Sequence, residues 1–139
     1  MNFQRDRKPL LYIDVDGVLV GEYEGFFQLR PHVEEFLSWA IESFECRWLT
    51  VRPVFEVTAL LRRIDAAYLI PFIEEAIWGH MKIEAIDFTR SFFWIEDGIR
   101  EIEKAVLRAH GCLDRYIHVD PQGRDELLRV MEMLQEKMK

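Results

Sequence analysis

Cysteine is scarce in this chain: of 139 residues only Cys46 and Cys112 are cysteines, far apart and without Cys-x-x-Cys spacing, so neither a zinc site nor a dithiol motif has support. Two buried, reduced thiols is the plain reading, with a single disulfide as the alternative. Long hydrophobic runs are also missing. The longest are strand-sized, and no apolar segment of signal-peptide length follows the charged opening from Met1 to Lys8. The expectation is a cytoplasmic protein with no membrane partner. Positive charge is in deficit, with 18 Lys plus Arg against 25 Asp plus Glu and a net charge of -7, and the basic residues are scattered. That disfavours a broad nucleic-acid or anionic-membrane footprint, and with it sequence-specific nucleic-acid binding. Internal repeats, low-complexity stretches and Gly, Ser or Pro linkers are absent as well, which predicts one domain over residues 1–139.

What is present is a composition that folds, 50% hydrophobic and 31% charged, arranged in alternating periods. Leu10 to Ile13, Phe44 to Leu49, Phe92 to Ile95 and Tyr116 to Val119 read as buried strands, and Tyr68-Leu69-Ile70 as a short fifth. Between them the apolar spacing becomes helical. Val33, Phe36, Leu37, Ala40 and Ile41 form one stripe after Pro31, which suits a first helical turn. Val54, Val57, Leu61 and Ile64 repeat it after Pro53. Ile99, Ile102, Val106 and Ala109 do so before the cap Gly111, and Leu127, Leu128, Met131 and Leu134 near the end. Strands buried on both faces and joined by helices predict a parallel sheet in a three-layer α/β/α sandwich.

Ligands of such sheets sit beyond the carboxyl ends of the strands. Asp14 ends the first strand, Thr50 the second and Glu96-Asp97 the strand from Phe92, while Lys82 lies just upstream of the last of these. These residue types suit phosphoryl transfer, in which positioning and electrostatics supply most of the rate. A carboxylate such as Asp14 can attack phosphorus to form an aspartyl-phosphate, splitting one difficult hydrolysis into two easier steps. Asp16, two residues on, is placed to protonate the leaving oxygen and then to activate water. Gly17 lets the chain turn closely around the site. Two carboxylates beside a phosphate call for a hard cation with oxygen ligands, and magnesium between Asp14 and Asp97 meets that need. Lys82 adds a point charge, and the Thr50 hydroxyl can donate to a phosphoryl oxygen.

The ordered set Asp14-Val15-Asp16-Gly17-Val18-Leu19, Trp48-Leu49-Thr50, Lys82 and Trp94-Ile95-Glu96-Asp97 resembles the four motifs of the haloacid-dehalogenase-like (HAD) superfamily. The resemblance runs from Leu10 to the last helix. It implies a Rossmann-like fold, Asp14 as nucleophile and Asp16 as acid/base. It further implies Thr50 and Lys82 as phosphate ligands, and Mg2+ held by Asp14, Asp97 and the Asp16 backbone carbonyl. The second acid marks the phosphatases of that superfamily. The segment Leu29 to Leu37 resembles the helix after the flap in capless members. Glu96 stands where the family usually shows Asp. Gly17 to Leu29 has room only for a short β-hairpin flap and Ala67 to Gly79 for at most a helix, so no cap domain is expected. An uncovered site suits a bulky phosphorylated macromolecule, a small phosphate ester, or a homodimer whose second copy acts as lid.

The expected function is therefore a magnesium-dependent phosphohydrolase acting on a phosphomonoester. The alternatives are a phospho-accepting signalling module and a non-catalytic binding module on the same scaffold. A signalling receiver orders its groups differently, since here the acids bracket Thr50 and Lys82. Arg52 is a secondary candidate for a substrate anion and equally a surface residue before the Pro53 helix, and Glu96 is secondary as well. The four histidines show no metal spacing. Trp39, Trp48, Trp78 and Trp94 read as core, and Phe26 and Phe27 either pack down or shape substrate access.

Overall fold

The computed structural model describes residues 7–139; the opening segment Met1 to Asp6 lies outside the described residues. Five short strands form one parallel sheet: β1 (Leu10–Ile13), β4 (Glu45–Trp48), β5 (Glu74–Glu75), β6 (Phe92–Glu96) and β7 (Tyr116–His118), in the order β5-β4-β1-β6-β7. Between β1 and β4 lie an antiparallel hairpin, β2 (Val20–Tyr23) with β3 (Phe26–Leu29), and helix α1 (Val33–Ser43). Helices α2 (Val54–Arg62), α3 (Glu101–Ala109) and α4 (Glu126–Lys137) complete the α/β alternation. The chain is thus an α/β protein with a five-stranded parallel sheet. Among the described residues no helix is long and apolar enough to cross a membrane.

β1, and β6 as far as Ile95, have no polar face because each is covered twice, whereas β4 turns Glu45 and Arg47 to its second face. Leu11, Ile13, Cys46, Trp48, Phe93 and Ile95 meet Phe36, Leu37 and Ala40 of α1, Val57 and Leu61 of α2, and Leu127, Val130 and Leu134 of α4. Leu10, Tyr12, Phe92 and Trp94 alternate onto the other face, with Leu107 of α3, Ile83 and Ile86. Burying each such large apolar side chain contributes about 1.5–3 kcal/mol, more than any difference in helix propensity here. The register puts Ile13 beside Trp48 and beside Ile95, so the strand ends that follow them are level.

Three expectations are corrected. Tyr68-Leu69-Ile70 is not a strand but the middle of a 3-10 segment, Ala67–Phe72, which contains Pro71; a proline has no N–H for a ladder. The fifth strand is instead Glu74–Glu75, exposed at the sheet edge, where charge rather than apolarity is suitable. The α3 stripe is rotated as well: Ile102 is exposed, and Glu103 and Leu107 are the buried positions. Pro31 precedes α1 rather than opening it, since His32 caps the helix at a left-handed φ of 71°.

The hairpin expected between Gly17 and Leu29 is present, its turn made by Glu24 and Gly25, both at positive φ. Phe26 and Phe27 are exposed on it. Of the tryptophans, Trp48 and Trp94 are core, while Trp39 and Trp78 are half-buried. Both cysteines are free, but only Cys46 is buried, and burial pushes its thiol up to about 12.

Candidate active site

β1 is where the strand order reverses: β4 and β5 lie on one side of it, β6 and β7 on the other. Chains leaving adjacent parallel strands in opposite directions open a crevice at the carboxyl edge. Asp14 follows β1 directly, Leu49 and Thr50 follow β4, and Glu96 closes β6 with Asp97 next in the chain. Three separated pieces of sequence therefore reach one edge.

Asp14 is almost fully buried, at 4% exposure. Its backbone N–H donates to the Ile95 carbonyl at 3.3 Å, continuing the β1–β6 ladder past the strand and fixing where the side chain starts. Its Oδ1 accepts the Val15 N–H at 2.8 Å and lies 3.3 Å from Lys82 Nζ. Lys82 opens the 3-10 turn Lys82–Ala85, and that turn is tied to α3 because the Ile83 N–H donates to Glu103 Oε2 at 3.1 Å. The Lys82 ammonium also donates to Glu96 Oε2 at 2.8 Å.

One ammonium thus faces two buried carboxylates. Burial raises the Glu96 carboxyl well above the usual range and the neighbouring Asp14 reinforces this, against the opposing pull of Lys82. Burial acts to lower Lys82, but Asp14 and Glu96 outweigh it and leave its pKa raised. Glu96 so held keeps its proton, Lys82 then offsets Asp14, and Asp97 supplies the negative excess.

Oxygens of Asp14, Glu96 and Asp97 all lie within 4.8 Å of one another. Three carboxylates converging on one partly buried point, with a single ammonium to offset them, fit a hard divalent cation by donor type and by charge. Gly17 is required for that convergence. It sits at φ 80°, and a Cβ there would run into the Asp97 carboxylate. The Asp16 carboxylate is not part of this cluster.

Asp16 is held instead by Arg52. The Arg52 Nε donates to Asp16 Oδ1 at 3.0 Å and Oδ2 at 2.9 Å, and Nη2 donates to Oδ1 at 2.8 Å. This side-chain bonding to Asp16 is also what raises the Arg52 pKa. The Thr50 hydroxyl accepts the Arg52 backbone N–H at 3.1 Å, which fixes the turn after β4 and leaves the hydroxyl proton free to donate outward.

The structure therefore brings Asp14, Lys82, Glu96 and Asp97 into one group and joins Asp16, Arg52 and Thr50 in a second. Glu96 and Arg52, secondary in the sequence, make the shortest polar contacts of their groups. Sequence reasoning gave no role to Arg30, which is 3% exposed. It donates to the carbonyls of Gly17 at 2.9 Å and Asp120 at 2.7 Å, and to that of Gly123. The only signal was an Arg between the hairpin and Pro31, which by itself reads as surface. Compared with known proteins, the chain matches no family model and no curated sequence.

Proposed function

We propose that the protein is a magnesium-dependent phosphohydrolase of the capless HAD-like type, cleaving a phosphomonoester in the cytoplasm through an aspartyl-phosphate on Asp14. On this reading the parallel sheet with helices on both faces is the three-layer sandwich of that superfamily, and the β2–β3 hairpin is its flap. The observation that carries the proposal is the placement of a buried Asp14 at 3.3 Å from Lys82, inside a carboxylate cluster, with a second acid two residues on. Lone Asp-Gly turns after strands arise from turn chemistry alone. A lysine and two further acids brought to the same point from distant sequence do not follow from it.

Asp14 Oδ1 is occupied by the Val15 N–H and Lys82, which leaves Oδ2 as the attacking atom. As its bond to phosphorus forms, the bond to the leaving oxygen breaks, and Asp16 gives that oxygen a proton. Asp16 then takes a proton from water as the water oxygen attacks phosphorus. The bond to Asp14 breaks and inorganic phosphate leaves. Lys82 and the Thr50 hydroxyl hold the non-bridging oxygens. Asp14, Asp97 and the Asp16 carbonyl would hold Mg2+, with Glu96 close by; when bound it offsets the repulsion between carboxylates and phosphate. Arg52 keeps the Asp16 carboxyl oriented through one of its oxygens while the other carries the proton.

The test is turnover of p-nitrophenyl phosphate with magnesium by wild type, Asp14→Asn and Asp16→Asn. Wild-type turnover that disappears in Asp14→Asn and falls by about 10²–10⁴ in Asp16→Asn supports the reading. Equal turnover in wild type and Asp14→Asn overturns it, and a stable phospho-protein without turnover replaces it with a phospho-accepting module.

A further inference from the structure

A second cavity of about 410 Å³ opens beside the carboxylate cluster and shares Lys82 and Glu96 with it. That volume lies in the ~300–1,000 Å³ range of small-molecule sites. A phosphoryl group held at Asp14 and Lys82 therefore has this space next to it for the rest of its molecule. Val51 and Trp78 supply apolar and aromatic wall.

Charged groups of both signs line the cavity. His80, Lys82 and Arg100 line it together with Glu96 and Glu103. Both acids are already engaged. Glu96 is bonded to Lys82 at 2.8 Å, and Glu103 accepts the backbone N–H groups of Ile83 at 3.1 Å and Arg100 at 3.0 Å. Arg100 is bonded through that backbone N–H, and His80 through its own to Glu84 Oε2 at 3.1 Å. Among the described residues their side chains therefore have no acid to neutralise them. In a protein of net charge -7, which repels anions at long range, the Arg100 guanidinium is a local cation beside the phosphate position that no acid of the cavity has claimed.

We propose that this cavity is the leaving-group site, and that the leaving group is a planar, largely apolar ring carrying a second anionic substituent. The inference rests on the phosphohydrolase reading. Trp78 and Val51 hold the ring, while Arg100, which lines the same cavity as His80, meets the second anion. Arg100 is the specificity-determining residue, because its guanidinium can fork onto a carboxylate or phosphonate.

The experiment measures binding by calorimetry, in magnesium, of four probes: propylphosphonate, benzylphosphonate, 4-carboxybenzylphosphonate and 1,4-xylylenediphosphonate. Expected in wild type is tighter binding of benzyl than propyl, and a further gain of about tenfold for at least one doubly anionic probe. The two anionic probes distinguish a carboxylate from a phosphate substituent. Arg100→Gln removes most of the anionic gain and Trp78→Ala removes the ring gain; Arg100 is exposed and among the described residues its side chain makes no ion pair, so that variant folds. Equal binding of benzyl and both anionic probes by wild type overturns the inference, as does a gain retained in both Arg100→Gln and His80→Gln. Turnover of p-nitrophenyl phosphate without these preferences sinks the leaving-group site and leaves the hydrolase. The preferences without turnover sink the hydrolase and leave the site.

Discussion

Arg52 binds both carboxylate oxygens of Asp16, at 2.8 to 3.0 Å, although 36 residues separate them in the chain. Each side chain is about a third exposed or less, at 26% and 36%. A pair so open to water contributes under about 1 kcal/mol to stability. Its importance should therefore lie in turnover. Arg52→Ala is expected to leave the melting temperature within a few degrees of wild type while lowering kcat about 10-fold to 100-fold, since a mispositioned acid loses part of its catalytic factor. Arg52→Lys, which keeps the charge but not the fork, should recover little. Steady-state kinetics beside a thermal melt reads both, and a loss confined to stability would refute the positioning role.

The excess of carboxylate over ammonium at Asp14, Glu96, Asp97 and Lys82 predicts that magnesium stabilises the fold. A ligand at a hundred times its dissociation constant adds about 2.7 kcal/mol, which for a chain of this size is roughly 8–12 °C. Melting in EDTA and in saturating magnesium should show that gap in wild type and a much smaller one in Asp97→Asn. Glu96→Gln, an isostere of the protonated acid, should melt close to wild type in EDTA and gain less from magnesium. Identical melts in EDTA and magnesium would mean that the cluster takes no cation.

How much of this was legible depended on what each residue had to satisfy. The strands Leu10–Ile13 and Phe92–Glu96 are apolar because both faces are covered, and that burial is written directly in their composition. Glu74–Glu75 needs only a backbone partner at the sheet edge, so nothing in its side chains announces a strand. Glu103 was invisible for the opposite reason. It is a buried acid on a helix face, retained because it accepts two backbone N–H groups that only the folded chain brings to it. Asp14, Lys82 and Asp97 could be expected together because strand ends converge by topology, whereas the Arg52–Asp16 pair depends on where two loops happen to run.

Arg30 joins the Gly17 loop to the loop before α4 through three carbonyls, and Gly21 leaves the space its guanidinium occupies. Burial lowers its pKa, with Glu126 and Asp120 opposing, and no shorter or unforked side chain can reach all three acceptors. Arg30→Ala should destabilise by about 2 kcal/mol, because the buried Gly17 carbonyl and two half-buried ones lose their donor. Arg30→Lys should restore less than half. Urea denaturation measures both, and a loss below 1 kcal/mol in the alanine variant would show that water replaces the arginine.

Glu45 accepts from Arg90 at 2.8 Å and from Arg47 at 2.9 Å, and these bonds, Arg90 first, hold its carboxyl below the usual range against the opposing effect of burial. A lowered folded-state pKa contributes stability that is whole above the ordinary carboxylate value near 4.5 and is lost as pH falls through the lower folded value. Glu45→Gln should therefore narrow its deficit relative to wild type as the pH is taken below 4.5. The deficit at neutral pH should be under about 1 kcal/mol, since the side chain is 43% exposed. Denaturant midpoints at pH 7 and pH 3.5 test the sign. A deficit that widens in acid would contradict it.

Gly17 and Gly25 both adopt positive φ, 80° and 90°, but a Cβ would strike the Asp97 carboxylate at Gly17 and meet nothing within 4 Å at Gly25. Alanine at either position carries the same backbone strain, about 1 kcal/mol. The difference between the two variants therefore isolates what the missing Cβ does at Gly17. Gly25→Ala should lose that strain energy alone and keep its magnesium response. Gly17→Ala should lose more, and must also push Asp97 away from Asp14, so its magnesium-dependent rise in melting temperature should shrink by at least half. Should both variants respond to magnesium like wild type, Asp97 would not be a ligand, and the need for glycine at 17 would be one of backbone conformation only.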